Sequence, residues 1–406
     1  MMLRQTRPRH TRRGFTITGR VLIYSHDSFG LGHIRRCRTI AHALAEAFPK
    51  LKVLIVSGSP IIGSFDFKTR VDFVRVPGII KLRNGDYVPL GEFGSIQETT
   101  ALRSTLITET ALKFSPDVFI VDKEPLGLRG ELEGTLEALK ARGTRLVLGL
   151  RDVLDEPAVL IQEWARKRAV PALEQLYDDI WVYGLKAIYD PLAGLGLSPG
   201  VAAKTTFTGY LKRTRPQAPP AAVIDDLAER LLITTGGGGD GELLIDWALQ
   251  AYEAHMARLP PALFVVGPFM RADLRAAFER RAGAVANVRM LTFEPRMEHL
   301  MAESRAVACM GGYNTFCEVL SFDKRALIVP RRVPRLEQTI RAEAATRLKL
   351  VNMLREPDEG VAPDPAVMRD ALLALPQQTL PSVAASPGLL GGIETILSTC
   401  GGWFAR

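Results

Sequence analysis

Met310-Gly311-Gly312-Tyr313-Asn314-Thr315-Phe316-Cys317-Glu318 follows an apolar run, Arg305-Ala306-Val307-Ala308-Cys309, that reads as a buried strand. A helix-like stretch then ends near Asp323, and a second apolar strand follows, Ala326-Leu327-Ile328-Val329-Pro330. Small residues at the mouth of a parallel strand let a ligand approach the backbone closely. A helix beginning at Asn314 or Thr315 would aim free N–H groups and a positive dipole end at that mouth, which suits phosphate. Glu318, one turn further in, is placed to accept hydrogen bonds from sugar hydroxyls. This strand, turn and helix read as a nucleotide-binding corner. It lies about three quarters of the way along the chain, late for a dinucleotide fingerprint, which opens the first βαβ unit.

The same alternation extends outward from that corner. Short apolar runs rich in β-branched residues occupy 21–25, 53–57, 73–76, 118–121, 146–150 and 180–183, with segments of helical period between several of them, such as 36–47 and 131–141. Such alternation predicts a parallel sheet covered by helices. Thr214-Arg215-Pro216-Gln217-Ala218-Pro219-Pro220 interrupts it as a proline-rich linker, and strands then resume at 231–234, 263–266, 288–291, 306–309 and 326–329. The expected fold is α/β, with two Rossmann-like doubly wound domains facing a cleft at the strand C-termini. The expected boundaries are a basic arm 1–19, a first domain 20–213, a linker 214–225, a second domain 226–375 and a tail 376–406. The tail is Gly/Ser/Pro-spotted and then apolar, and is expected to pack back on the first domain.

Bulk properties agree. A chain of 406 residues exceeds one ordinary domain, and 47% apolar with 24% charged residues describes a soluble globular protein. No apolar run reaches the roughly 18 residues of a membrane span. Part of the net charge of +8 sits in the first twenty residues, where Arg4, Arg7, Arg9, Arg12, Arg13 and Arg20 precede the first acid, Asp27. An arm of that kind can hold an anionic bilayer surface or nucleic acid, act as a transit peptide, or be merely an overlong terminus. Cys37, Cys309, Cys317 and Cys400 show no paired spacing, so reduced thiols in a cytoplasmic protein are expected, with neither a zinc site nor a disulfide framework.

Further segments carry candidate chemistry. The first strand ends in Ser25-His26-Asp27-Ser28-Phe29-Gly30-Leu31-Gly32-His33 and runs straight into a helix. Gly30 and Gly32 bring backbone N–H groups to a ligand, although their spacing does not complete the dinucleotide fingerprint. The turn also aims His33 into the cleft. Asp122 ends another strand of the same sheet, so the two can meet as a base and the carboxylate that fixes its tautomer. The alternatives are a packed or capping histidine, and an Asp122 that caps a helix or pairs with Lys123 or Arg129. The second half opens with Thr235-Gly236-Gly237-Gly238-Gly239, a loop able to fold around a pyrophosphate but lacking the Lys-Ser/Thr of a Walker loop. Arg331, Arg332 and Arg335 beside the corner can neutralise phosphate, and Glu337 and Gln338 can read sugar hydroxyls or simply begin a solvated helix. Arg151-Asp152-Val153-Leu154-Asp155 would line an acceptor pocket or form a structural ion pair.

Together these motifs resemble the GT-B glycosyltransferases, and within them the MurG-like group, over roughly 20–355. The resemblance implies a UDP-sugar held mainly by the second half. Gly236, Gly237, Gly238, Gly311, Gly312, Asn314 and Thr315 would hold the diphosphate and Glu318 the ribose. The backbone near Phe293 would meet the base, and Glu337 with Gln338 the donor sugar. It also implies His33 as base with Asp122 orienting it, inversion at the anomeric carbon, and no metal or cofactor beyond the UDP-sugar co-substrate. The sequence departs from the group at Asp323 and Arg325, where Gly and Pro are usual, and at Tyr313, bulkier than the usual small residue. The expected activity is transfer of a hexose or N-acetylhexosamine to the hydroxyl of a lipid-linked or small acceptor. Helix N-termini, with Arg35 or Arg36, would stabilise the departing diphosphate. The rivals are a UDP-N-acetylhexosamine epimerase on the same fold and a non-catalytic nucleotide-sugar-binding subunit. By analogy the protein would be cytoplasmic, with peripheral contact to the inner membrane face through its arm, and no nucleic-acid partner is expected.

Overall fold

The computed structural model describes residues 18–26, 31–82, 86–91 and 94–404. The arm up to 17, and with it most of the N-terminal arginines, lies outside the described residues, as does Gly30.

Among the described residues nine strands belong to the first half: β1 (Thr18–Ser25), β2 (Lys50–Ser57), β3 (Val71–Arg75), β4 (Ile79–Lys81), β5 (Tyr87–Pro89), β6 (Val118–Asp122), β7 (Arg145–Arg151), β8 (Asp179–Tyr183) and β9 (Thr205–Phe207). Seven form an all-parallel sheet ordered β3-β2-β1-β6-β7-β8-β9, while β4 and β5 make a small antiparallel hairpin. The second half holds β10 (Leu231–Thr234), β11 (Ala262–Val265), β12 (Val288–Leu291), β13 (Ala306–Cys309), β14 (Ala326–Ile328) and β15 (Asn352–Met353), parallel in the order β12-β11-β10-β13-β14-β15. In each half the order reverses beside the first strand, the switch point that opens a crevice at the strand C-termini.

The sequence explains this layering. In β6 all five residues of Val-Phe-Ile-Val-Asp are buried, as are the four of β10 and of β13, the pattern of strands covered on both faces. The helix Gly32–Ala47 buries Ile34, Cys37, Ala41 and Leu44, a stripe at three- and four-residue spacing laid on β1 and β2. The expected strands are all present. The hairpin, β9 and β15 were not singled out from sequence, being two or three residues long and without an apolar run. β1 begins at Thr18, inside the segment assigned to the arm.

The linker lies on the second half, where Ala222 N–H donates to Glu294 (2.9 Å) and the backbone of Ala218 contacts His299 (2.8 Å). The tail crosses back to the first sheet. Its last helix, Gly392–Phe404, places Trp403 flat on Trp181 (5.8 Å between centroids, 6° between planes) with the Arg145 guanidinium 4.4 Å from the Trp403 ring. Among the described residues no helix is long and apolar enough to cross a membrane.

Entry of that helix depends on a glycine. A Cβ at Gly392 would lie 2.6 Å from Gly209 O and 2.7 Å from Tyr210 O. Gly392→Ala is therefore expected to cost about 1–3 kcal/mol, as overpacking does. A urea midpoint equal to that of the unsubstituted chain would count against this docking.

Candidate active site

The first cluster forms where β6 ends beside the start of the helix Gly32–Ala47. His33 Nδ1 lies 2.5 Å from Asp122 Oδ2, with Asp122 1% exposed. Arg36, one turn further along the helix, closes on the same carboxylate in a fork, Nε to Oδ1 at 2.7 Å and Nη2 to Oδ2 at 2.6 Å. Burial alone would raise the Asp122 carboxyl, but Arg36 and His33 outweigh it and hold it far below the usual carboxylate range. The ionised carboxylate accepts Nδ1–H, which leaves the Nε2 lone pair of His33 free to take a proton. Burial also lowers the His33 pKa, and the attraction of Asp122 offsets only part of that. The imidazole is therefore neutral at pH 7. His26 stands edge-on to it at 5.5 Å, itself buried and shifted down by burial. Lys123 follows Asp122 with a left-handed backbone (φ 70°), and burial brings its ammonium down to about 8.

The second cluster follows β10 and β13. Gly236 and Gly238 both adopt positive φ, 74° and 86°. A side chain at Gly238 is excluded, because its Cβ would sit 2.2 Å from Val266 O. Thr235 Oγ1 donates to that carbonyl (2.6 Å) and Phe269 N–H to Gly237 O (3.0 Å), so the loop is tied to the end of β11. Gly311 turns at φ 75° and Gly312 caps the helix Tyr313–Ser321, which starts one residue before the expected Asn314. A Cβ on Gly236 would be 3.8 Å from Thr315 Oγ1, so the glycine loop and that helix start are neighbours. Among the described residues nothing lies within 4 Å of a Cβ on Gly312.

The two clusters meet. Asn314 Nδ2 donates to Gly32 O (2.9 Å), one residue from His33, and Asn314 Oδ1 accepts from Arg213 (2.6 Å). Asp152, after β7, is held by Arg341 through two bonds of 2.6 and 2.7 Å and by the Tyr210 hydroxyl at 2.9 Å. Arg341 also donates to Gly311 O at 3.0 Å. Tyr313 lies between guanidiniums, 5.4 Å from Arg36 and 5.9 Å from Arg341, which accounts for a large ring where a small residue was expected.

Several candidates stand differently from the sequence reading. Glu318 is 1% exposed and paired with Arg35, which also contacts Glu298 at 3.0 Å. Ribose hydroxyls would therefore have to replace Arg35 there. Arg35 and Arg36 serve carboxylates rather than an open anion site. Asp122 pairs with Arg36, not with Lys123 or Arg129. Asp152 is the structural ion pair of the two readings offered for its segment. Glu337 pairs with Arg151 and Arg331, which pull it down to about 2 against the effect of burial, so it is not a solvated helix start. Gln338 Oε1 accepts from Arg331 N–H (3.2 Å), and Arg331 pairs in turn with Asp240 of the glycine loop. Phe293 is half-buried on the loop after β12. Arg36, Lys123 and Arg341 were not identified in these roles from sequence. A signal existed for Arg36 and Arg341, each three or four residues from a candidate on one helix face.

Residues 232–356 match the model of the glycosyltransferase family 28 C-terminal domain. No curated protein matches the chain significantly. Among solved structures, a glycosyltransferase of Phytolacca americana complexed with UDP-2fluoro-glucose and pterostilbene superposes with TM-score 0.62 at 13% identity, covering 96% of this chain and 100% of that one. A transferase from Siraitia grosvenorii in complex with UDP gives 0.62 at 12%, covering 95% and 100%. The UDP-GlcNAc 2-epimerase of Neisseria meningitidis gives 0.58 at 14%, covering 95% and 100%. The chain has the GT-B fold. In this GT-B chain the His33 cluster belongs to the first domain and the glycine loop and turn to the second.

Removing the Asp122 carboxylate leaves Arg36 buried without its partner. Asp122→Ala should therefore lose about 3–5 kcal/mol of stability in urea unfolding. A loss under about 1 kcal/mol would mean the pair is not buried as described.

Proposed function

We propose that the protein is an inverting glycosyltransferase that moves a hexose or N-acetylhexosamine from a UDP-sugar to an acceptor hydroxyl, lipid-linked or small. The observation that carries this reading is His33, its Nδ1 on the Asp122 carboxylate and one residue from the Gly32–Asn314 bond that reaches the Gly311–Gly312 turn. His33 Nε2 takes the proton of the acceptor hydroxyl. The oxygen attacks the anomeric carbon as the bond to the diphosphate breaks on the opposite face, which inverts that centre. The leaving charge falls toward the first-turn N–H groups of the helix Tyr313–Ser321 and the glycine loop, already oriented before reaction. Asp122 steadies the imidazolium that forms, and Arg36 keeps Asp122 in place. The solved GT-B structures bound to UDP or a UDP-sugar analogue support the donor class.

A second reading, epimerisation of a UDP-N-acetylhexosamine, is favoured by the likeness to UDP-GlcNAc 2-epimerases. Product analysis separates the two, since an epimerase converts the sugar nucleotide without any acceptor.

His33→Ala should reduce turnover about 100-fold or more with UDP affinity retained; near-normal turnover would reject the base role. Because His33 titrates below its ordinary 6.5, kcat/KM should stay level through neutrality and fall only on acidification past that value. An acid limb centred above 7 would contradict the assignment.

A further inference from the structure

At the far ends of the second sheet's strands lies a cavity of about 440 Å³. Leu231 opens β10, Ala306 opens β13 and Arg325 immediately precedes β14, so the cavity sits at the N-terminal edge of the sheet. The glycine loop and the Gly311 turn follow the C-terminal ends of the same strands, on the opposite side. Leu231, Leu259, Leu372 and Leu375 line it, none more than 5% exposed. Arg258, Arg305 and Arg325 also line it, the first two exposed to solvent.

This grouping of charge is unbalanced. Of the acids nearest these arginines, Glu303 pairs with Arg215 and Asp323 bonds Ser382, while Asp370 pairs with Arg369 and also feels the charge of Arg258. Arg325 Nε donates to Gln378 O at 2.8 Å, which fixes that guanidinium at the rim. An apolar floor beneath guanidiniums complements a ligand with an anionic head and an apolar body, and the volume falls within the roughly 300–1,000 Å³ of small-molecule sites. We propose that this cavity is a second ligand site, separate from the interdomain cleft, for a soluble organic anion with an alkyl body, such as a carboxylate or phosphate monoester.

Calorimetric titration of the full chain with octyl phosphate tests this, with inorganic phosphate and octanol as comparisons. Saturable binding at one site per chain is expected, with phosphate and octanol each at least about tenfold weaker. Arg258→Glu and Arg305→Glu should each weaken octyl phosphate about tenfold, the worth of one charge-assisted contact, at an unchanged melting temperature. Leu373, exposed at the cavity wall, supplies an uncharged test, and Leu373→Asn should weaken octyl phosphate severalfold while leaving phosphate unaffected. Absence of saturation, phosphate binding as tightly as octyl phosphate, or an affinity indifferent to both arginine substitutions would overturn the proposal.

Discussion

Asp152 and Arg341 join the two halves of the chain where neither charge reaches water, at 2% and 0% side-chain exposure. Desolvating such a pair is costly, and the cost is recovered only when every donor and acceptor is matched. Here the match is complete enough to dictate geometry. Two guanidinium bonds reach the carboxylate, the Tyr210 hydroxyl takes a further acceptor site, and the remaining guanidinium arm holds Gly311 O. The turn expected to receive phosphate is thereby anchored to the end of β7, in the sheet that also carries Asp122. A shift between halves would expose an unpaired charge, so His33 and the Gly311 turn stay in register.

The same device recurs around the cleft. Asp122 with Arg36, Glu318 with Arg35, and Glu337 with Arg151 each pair a buried carboxylate with a guanidinium, and the last two cross between the halves. Arginine suits these positions because its planar fork meets both carboxylate oxygens and its face can lie on an aromatic ring. Arg36 and Arg341 use both properties, each forked on a carboxylate and lying over the Tyr313 ring. Two arginines of the cleft, Arg35 and Arg151, thus tie the halves together through Glu318 and Glu337.

Fold class was legible because each half repeats apolar β-branched strands and helices with a two-sided core, a pattern that survives in single residues such as Val121 and Ile120. The short edge strands were not legible, since two or three residues carry no periodicity. The site was legible where chemistry is local. His33 with Asp122, and Gly236 with Thr315, lie at strand ends that topology forces together. It was illegible where it depends on long-range pairing. Nothing near Arg341 in sequence points to Asp152, 189 positions away, and nothing near Arg35 points to Glu318. Ion pairs between domains leave no periodic trace.

The account turns on a uridine nucleotide occupying the cleft, and a thermal-shift comparison of UDP, GDP, dTDP, ADP and NAD tests that most directly. Ligand that binds only the folded chain at 100 times its Kd stabilises by about 2.7 kcal/mol, enough to raise the melting temperature by a few degrees. The account predicts a shift with UDP that the other four do not match. A shift with NAD instead, or with none of the five, would contradict it and leave the GT-B fold without the donor assigned to it.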